Sequence, residues 1–209
     1  MTSNTELINN LISVGALKEE SVIHAFLMID RADFVADPTA SDAYEDYPLS
    51  IGYGQTISQP RTVAMMMEML GPKEGEKILD IGSGSGWTSA ILGFIVGEEG
   101  SVTGTERVSE LLEFAKANVA KYGLKNTNII QAKDELGVVG EEFDRILVSA
   151  SASAFPYGLI EQLKVGGKLV IPVGHSIYEV TKNANGEVEG KEHYGFKFVP
   201  LIFQNSRSV

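Results

Sequence analysis

A chain of 209 residues, 44% hydrophobic and 22% charged, has the composition of a folded globular protein and the length of a single domain. Its formal net charge of −11, with lysine and arginine scattered rather than clustered, argues against nucleic acid and anionic membranes as partners. The absence of cysteine excludes disulfides, thiolate metal sites and thiol catalysis. A polar start, MTSNTELINN, and the lack of any apolar run near the ~20 residues that span a bilayer point to a cytoplasmic location.

In chain order, residues 4–15 predict an amphipathic helix with Leu7, Ile8, Leu11 and Ile12 on one face and Gly15 as its stop. A second helix is expected over 19–29, burying Val22, Ile23, Phe26 and Leu27. Residues 36–60 read as irregular chain rich in turn formers, and helix returns over about 60–70 before Gly71-Pro72 ends it. Met65, Met66, Met67 and Met69 on that helix read as core filler. From residue 76 the rhythm becomes strand, glycine turn, helix. KILDI (77–81), SVTGTE (101–106), NIIQA (128–132), DRILVSA (144–150) and GKLVIPV (167–173) are the expected strands. Helices are expected at WTSAILGFIV between the first two strands, at 108–122 between the second and third, and at 156–164 between the last two. Such alternation predicts a doubly wound α/β sheet, mostly parallel. Towards the end, Asn185-Gly186 marks a hairpin and FKFVPLI a last strand, so an antiparallel pair closes one edge.

The strongest local signal is ILDIGSGSGW. A strand that delivers Gly82, Gly84 and Gly86 to a helix start, with Ser83 between the first two, lets backbone approach a ligand closely. Glu106, at the end of the next strand, is placed to accept hydrogen bonds from both hydroxyls of a ribose. A dinucleotide turn needs glycine at position 87, where Trp87 stands, and a phosphate-binding loop needs Gly-Lys-Ser/Thr, which is missing. Asp80 would repel a pyrophosphate but suits a cationic ligand. The pattern therefore reads as an S-adenosylmethionine turn, with NAD as the second choice. Asp134, just after NIIQA, stands where an acid can reach an adenine or simply be a solvated loop residue. Ser58 ahead of Pro60 is in the position of a helix N-cap. The three histidines have no metal-ligand spacing, and no metal is expected.

The segments TELINNLISVGAL, FLMIDRADFV, YEDYPLSIGYGQTISQP, ILDIGSGSGW, SELLEFAKANVAKYGLKN, FDRILVSASASAFPYGLIEQLKVGGKLVIPVG and FKFVPL together resemble the protein-L-isoaspartate (D-aspartate) O-methyltransferase family over nearly the whole chain. The resemblance implies a Rossmann-like class I methyltransferase fold of seven strands in one domain, 1–209. Residues 1–70 would be the helical cover and 71–209 the core. It implies S-adenosyl-L-methionine as cofactor, S-adenosyl-L-homocysteine as product, and isoaspartyl proteins and peptides as substrates of a monomeric enzyme. Methylation would make the carboxyl a better leaving group, so that a succinimide closes and repair begins. By motif, Thr56, Ile57 and Ser58 contact the donor, and Ser58 also faces the substrate carboxylate. The turn residues, Asp80, Glu106, Asp134 and Glu135 complete the donor set, and the acceptor is expected near Ser149–Phe155. Three departures stand out: Lys133-Asp134-Glu135 replaces the usual Gly-Asp-Gly, Arg61 a histidine and Ile202 a hydroxyl residue. They leave two alternatives, a carboxyl methyltransferase of a biosynthetic peptide and a family member that only binds.

Overall fold

The computed structural model describes residues 1–37 and 42–203; residues 38–41 and 204–209 lie outside the description. Two helices open the chain, α1 (Asn4–Ser13) and α2 (Glu20–Met28). The Ser3 hydroxyl caps α1 by accepting from the Glu6 N–H, the expected use of serine at a helix start. Leu7, Ile8 and Leu11 are buried, but Ile12 and Leu27 are exposed, so the apolar faces are narrower than their sequence suggests. A 3₁₀ turn follows at Arg31–Phe34.

The stretch read as irregular contains a hairpin, β1 (Leu49–Gly52) with β2 (Gln55–Ile57), paired antiparallel. Its two-residue turn, Tyr53-Gly54, has positive φ at both positions, 54° and 70°. That backbone matches strand twist, but it is usually supplied by Asn-Gly or Asp-Gly, so the tyrosine concealed it. α3 (Pro60–Leu70) then runs as expected, with Pro60 in its first turn and Gly71 as a left-handed C-cap. Met66 and Met67 are buried, and Met65 and Met69 pack against the same core.

The seven-stranded sheet has the order β5-β4-β3-β6-β7-β8-β9. Its strands are β3 (Lys77–Ile81), β4 (Ser101–Glu106), β5 (Thr127–Gln131), β6 (Phe143–Val148), β7 (Leu163–Val173), β8 (Ser176–Lys182) and β9 (Val188–Tyr194). β3 to β7 are parallel neighbours, and β8 and β9 add an antiparallel meander. α4 (Trp87–Val96) and α5 (Ser109–Ala120) link β3 to β4 and β4 to β5. The helix expected at 156–164 is only α6 (Gly158–Glu161), because Leu163 already belongs to β7.

FKFVPLI is not the last strand. Polar VEGKEHY of β9 takes that place, exposed almost throughout as an edge strand. The apolar segment instead crosses the carboxyl ends of the strands and makes one isolated bridge, Pro200 to Ser151. The Ser151 N–H donates to the Val199 carbonyl and the Leu201 N–H to the Ser151 carbonyl, each at 2.8 Å. Chain reversal at β3, flanked by β4 on one side and β6 on the other, opens a crevice at those carboxyl ends, where ligands settle in open α/β sheets.

Candidate active site

The crevice is an open cleft with a void of about 980 Å³, solvent at its mouth included. Gly82, Ser83, Gly84 and Ser85 form one wall and Glu106, Arg107 and Val108 the next. Gln55, Thr56, Ile57 and Ser58 come from the hairpin side, and Ser149, Ala150 and the segment Val199–Phe203 from the opposite side.

The glycine turn is held by its own backbone. The N–H groups of Gly82 and Ser83 both donate to the Thr105 carbonyl, at 2.9 and 3.1 Å, and Gly86 N–H donates to Ser83. Gly82 and Gly84 have φ of 80° and 55°, a conformation L side chains rarely adopt. Gly86, with φ 90°, serves packing rather than the cleft. A Cβ there would stand 3.1 Å from the Ala115 carbonyl oxygen on α5, and Gly86 is not part of the lining.

Glu106 is buried and its carboxylate is an organiser. One oxygen accepts from Gly84 N–H at 2.9 Å, the other from the N–H groups of Arg107 and Val108 at 2.7 and 2.8 Å. Three of roughly four acceptor positions are therefore engaged by backbone, which leaves less for a ribose than its place in sequence suggested.

Asp80 is fully buried beneath the turn rather than on the lining. Its Oδ2 accepts from the hydroxyls of Thr88 at 2.7 Å and Ser89 at 2.5 Å, both on α4. Gly104 on the adjacent strand makes this possible, since a Cβ there would stand 2.5 Å from Ser83 Oγ and 2.9 Å from Ser89 Oγ. Asp80 Oδ1 has no hydrogen bond of ordinary geometry among the described residues, although the Ser149 hydroxyl still acts on the carboxylate. Burial pushes the carboxyl up to about 6, against the hydrogen bonds from Ser89 and Thr88; the nearby Glu106 charge adds to the rise, and the Ser149 hydroxyl opposes it.

The predicted cap does not form. Gln59 is the N-cap of α3 and makes no side-chain cap bond, while Ser58 lines the cleft and its hydroxyl has no hydrogen bond among the described residues. Of the residues expected from sequence, Thr56, Ile57, Ser58, Gly82, Ser83, Gly84, Glu106 and Glu135 line one cavity. Asp134 is exposed and does not; its neighbours Lys133 and Glu135 do. On the acceptor side Ser149 and Ala150 line the cleft, whereas Phe155 packs edge-on against the exposed Tyr157. Sequence reasoning did not place Trp87 or Thr88 at the cleft, and of the Val199–Phe203 segment it read 199–202 as strand and singled out Ile202 alone.

One further residue escaped notice. Arg31 is completely buried beside this site, 5.5 Å from the centre of the Trp87 ring, and its guanidinium donates to the carbonyls of Ala43, Tyr47 and Ser58. DRADF offers no sign that its arginine turns inward.

Comparison with known proteins agrees with this geometry. The chain is 41% identical over 202 residues to a protein-L-isoaspartate O-methyltransferase of Methanopyrus kandleri, covering 94% of this chain and 89% of that one. It is 42% identical over 201 residues to the Pyrococcus horikoshii protein of the same name, covering 93% and 90%. A solved structure from Plasmodium falciparum, assigned as a protein-L-isoaspartate O-methyltransferase and holding S-adenosyl-L-homocysteine, superposes with a TM-score of 0.85 at 29% identity, over 98% of this chain and 100% of that one. The family model for protein-L-isoaspartate(D-aspartate) O-methyltransferase matches residues 2–206, and the chain belongs to that family.

Proposed function

We propose that the cleft transfers a methyl group from S-adenosylmethionine to the carboxylate of L-isoaspartyl residues in proteins and peptides, with Ser58 orienting the acceptor. One observation carries the reading: an unpartnered hydroxyl, Ser58, shares a cavity with a glycine turn shaped for close backbone approach. The residues fit the donor. Gly82 and Gly84 clear a cradle, and the unpartnered, buried Oδ1 of Asp80 supplies negative charge for a cationic ligand. When bound, S-adenosylmethionine supplies an electrophilic methyl on a sulfonium.

The chain's own task is then positional. An acceptor carboxylate with a reference pKa of ~3.9 is already ionised at neutral pH, so no general base is needed. Thr56, Ile57 and Ser58 cover the reacting region from one side and Val199–Leu201 from the other. Both exclude water from a reaction that disperses charge. Ser58 holds the acceptor oxygen near attack distance, where orientation supplies most of the rate. Glu106 fixes the turn, and Ser83, Gly86, Asp134 and Glu135 complete the donor set read from sequence. Gly86 contributes through packing and Asp134 from the rim. Methylation of the isoaspartyl carboxylate makes it a leaving group and so opens repair through a succinimide.

Residues 1–70 serve as cover and 71–209 as core of one domain, acting as a monomer on protein substrates in the cytoplasm, without nucleic acid. No helix among the described residues is long and apolar enough to cross a membrane. A second reading, a protein that only binds, draws on Lys133 and Glu135, which line the cavity where glycines would leave space.

Labelled methyl should pass from S-adenosylmethionine to an isoaspartyl peptide and not to its aspartyl twin; equal labelling of the two removes the repair assignment. Ser58→Ala should lower kcat about 100-fold, with S-adenosylhomocysteine affinity by calorimetry nearly unchanged. Donor-product binding without any transfer favours the second reading.

A further inference from the structure

Arg31 is a cation shut away from water, which is costly unless it is compensated. Its compensation comes from three backbone carbonyls and the face of an aromatic ring, not from an ion pair. The Nη1 group donates to Ala43, and Nη2 donates to Tyr47 at 3.2 Å and to Ser58 at 3.3 Å. The guanidinium carbon stands 5.5 Å from the centre of the Trp87 ring, within cation–π range. Burial lowers the group to about 10, against the pull of Asp46 and Asp42, so it remains charged at neutral pH.

The connectivity matters more than the charge. Ala43 and Tyr47 belong to the loop ahead of the hairpin, Ser58 follows β2, and Trp87 begins α4 directly after the glycine turn. A single rigid fork thus ties the roof of the cleft to the helix that carries its floor. The same region is reinforced by Asp46, whose backbone carbonyl accepts from the Gln59 side chain at 2.9 Å and whose carboxylate accepts from the Arg61 N–H at 2.8 Å. Neither of those bonds reaches Ser58 itself. The Arg31 bond to the Ser58 carbonyl does, and the hydroxyl left free of any partner in the described chain takes its position from that backbone.

We infer that Arg31 is a positioning residue for methyl transfer: it grips the Ser58 backbone from behind and fixes where the Ser58 hydroxyl stands over the glycine turn. This rests on the role given to Ser58 above. Lysine is a poor substitute, because a point charge cannot span three carbonyls and lie flat beside an indole.

The test is a double-mutant cycle on kcat with an isoaspartyl peptide, run where circular dichroism shows every variant folded. Arg31→Met should lower kcat about 30-fold, with S-adenosylhomocysteine affinity by calorimetry changed less than about 3-fold. In a Ser58→Ala background, where there is no hydroxyl left to place, the same substitution should cost less than about 3-fold. Arg31→Lys should recover part of the loss. A merely structural arginine gives equal losses in both backgrounds, and that result overturns the inference, as does an unchanged kcat. If Arg31→Met does not fold, Arg31→Lys takes its place in the cycle, with a loss expected only when Ser58 is present. Full turnover by Ser58→Ala alone removes the Ser58 role and this inference with it. An impaired Ser58→Ala with additive losses removes the Arg31 inference and leaves the function standing.

Discussion

The two sides of the cleft are built differently. On the side of the glycine turn, read as the donor side, short hydrogen bonds, buried or partly buried, tie the turn to Thr105, Glu106 to three N–H groups and Asp80 to two hydroxyls. On the acceptor side a short hairpin, with strands of four and three residues, and a segment with one isolated bridge form the cover. That cover carries an exposed tyrosine at positive φ and a hydroxyl with no partner among the described residues. The contrast fits the division of labour proposed for the two sides. One must hold a fixed small molecule, the other must admit and release the side chain of a damaged protein. Regions that open are drawn from the less stabilised parts of a fold, and of the two pieces of cover that description suits the Val199–Leu201 segment, whereas the hairpin's end at Ser58 is held by Arg31.

The largest expected effect breaks the rigid side. Gly86→Ala places a Cβ at φ 90° and 3.1 Å from the Ala115 carbonyl oxygen, against backbone that cannot step aside. Strain and overpacking together should cost about 3 kcal/mol, read as a lower denaturant midpoint at unchanged slope. Gly52→Ala in the hairpin has the same sign of φ, 88°, but meets nothing within 4 Å, so it should cost about 1 kcal/mol. Equal losses at the two positions would erase the distinction.

The same contrast explains what the sequence disclosed. The core strands and the glycine turn are legible because each is a local pattern, an apolar run followed by a backbone conformation that residues other than glycine rarely adopt. Asp80 and Glu106 are legible by spacing, but not how far the protein's own hydroxyls and N–H groups engage them. The cover is illegible for physical reasons. A Tyr-Gly turn does not announce a hairpin, and FKFVPLI is apolar because Phe196 and Phe198 pack on the core and Val199–Ile202 line a cavity, not because it lies in a sheet. Arg31 is hidden most thoroughly, since its partners are backbone carbonyls that leave no trace in residue identity.

A smaller effect sharpens the electrostatic half of the comparison. Asp80 titrates at about 6 in the folded protein against 3.8 when unfolded. Between those values the native state binds more protons than the unfolded chain, so this group's contribution to stability declines as pH rises from about 4 to about 6. A bound ammonium favours the ionised form and reverses that trend. S-adenosylhomocysteine affinity should therefore climb towards neutral pH by at most tenfold per unit, with proton release measurable by calorimetry in buffers of different ionisation enthalpy. Asp80→Asn should bind weakly and without that pH dependence. A wild-type affinity flat from pH 5 to 7 would mean that Asp80 does not serve the donor.

The smallest effect concerns Tyr53, at the tip of the cover. Its φ of 54° costs a non-glycine residue about 1 kcal/mol, while its side chain, 59% exposed, recovers little of that by packing. Asparagine tolerates the same conformation, so Tyr53→Asn should raise the melting temperature by about 2 °C, the shift expected of a gain near 0.5–1 kcal/mol in a chain of this size. Affinity for S-adenosylhomocysteine should not change, because Tyr53 is not part of the cleft lining. If stability rises while KM for an isoaspartyl peptide also rises, the strained tyrosine is kept for what it touches on the substrate. If stability rises and KM stays, the strain has no such use, and the acceptor side must draw its grip from Ser58, Ser149, Ala150 and the Val199–Phe203 segment.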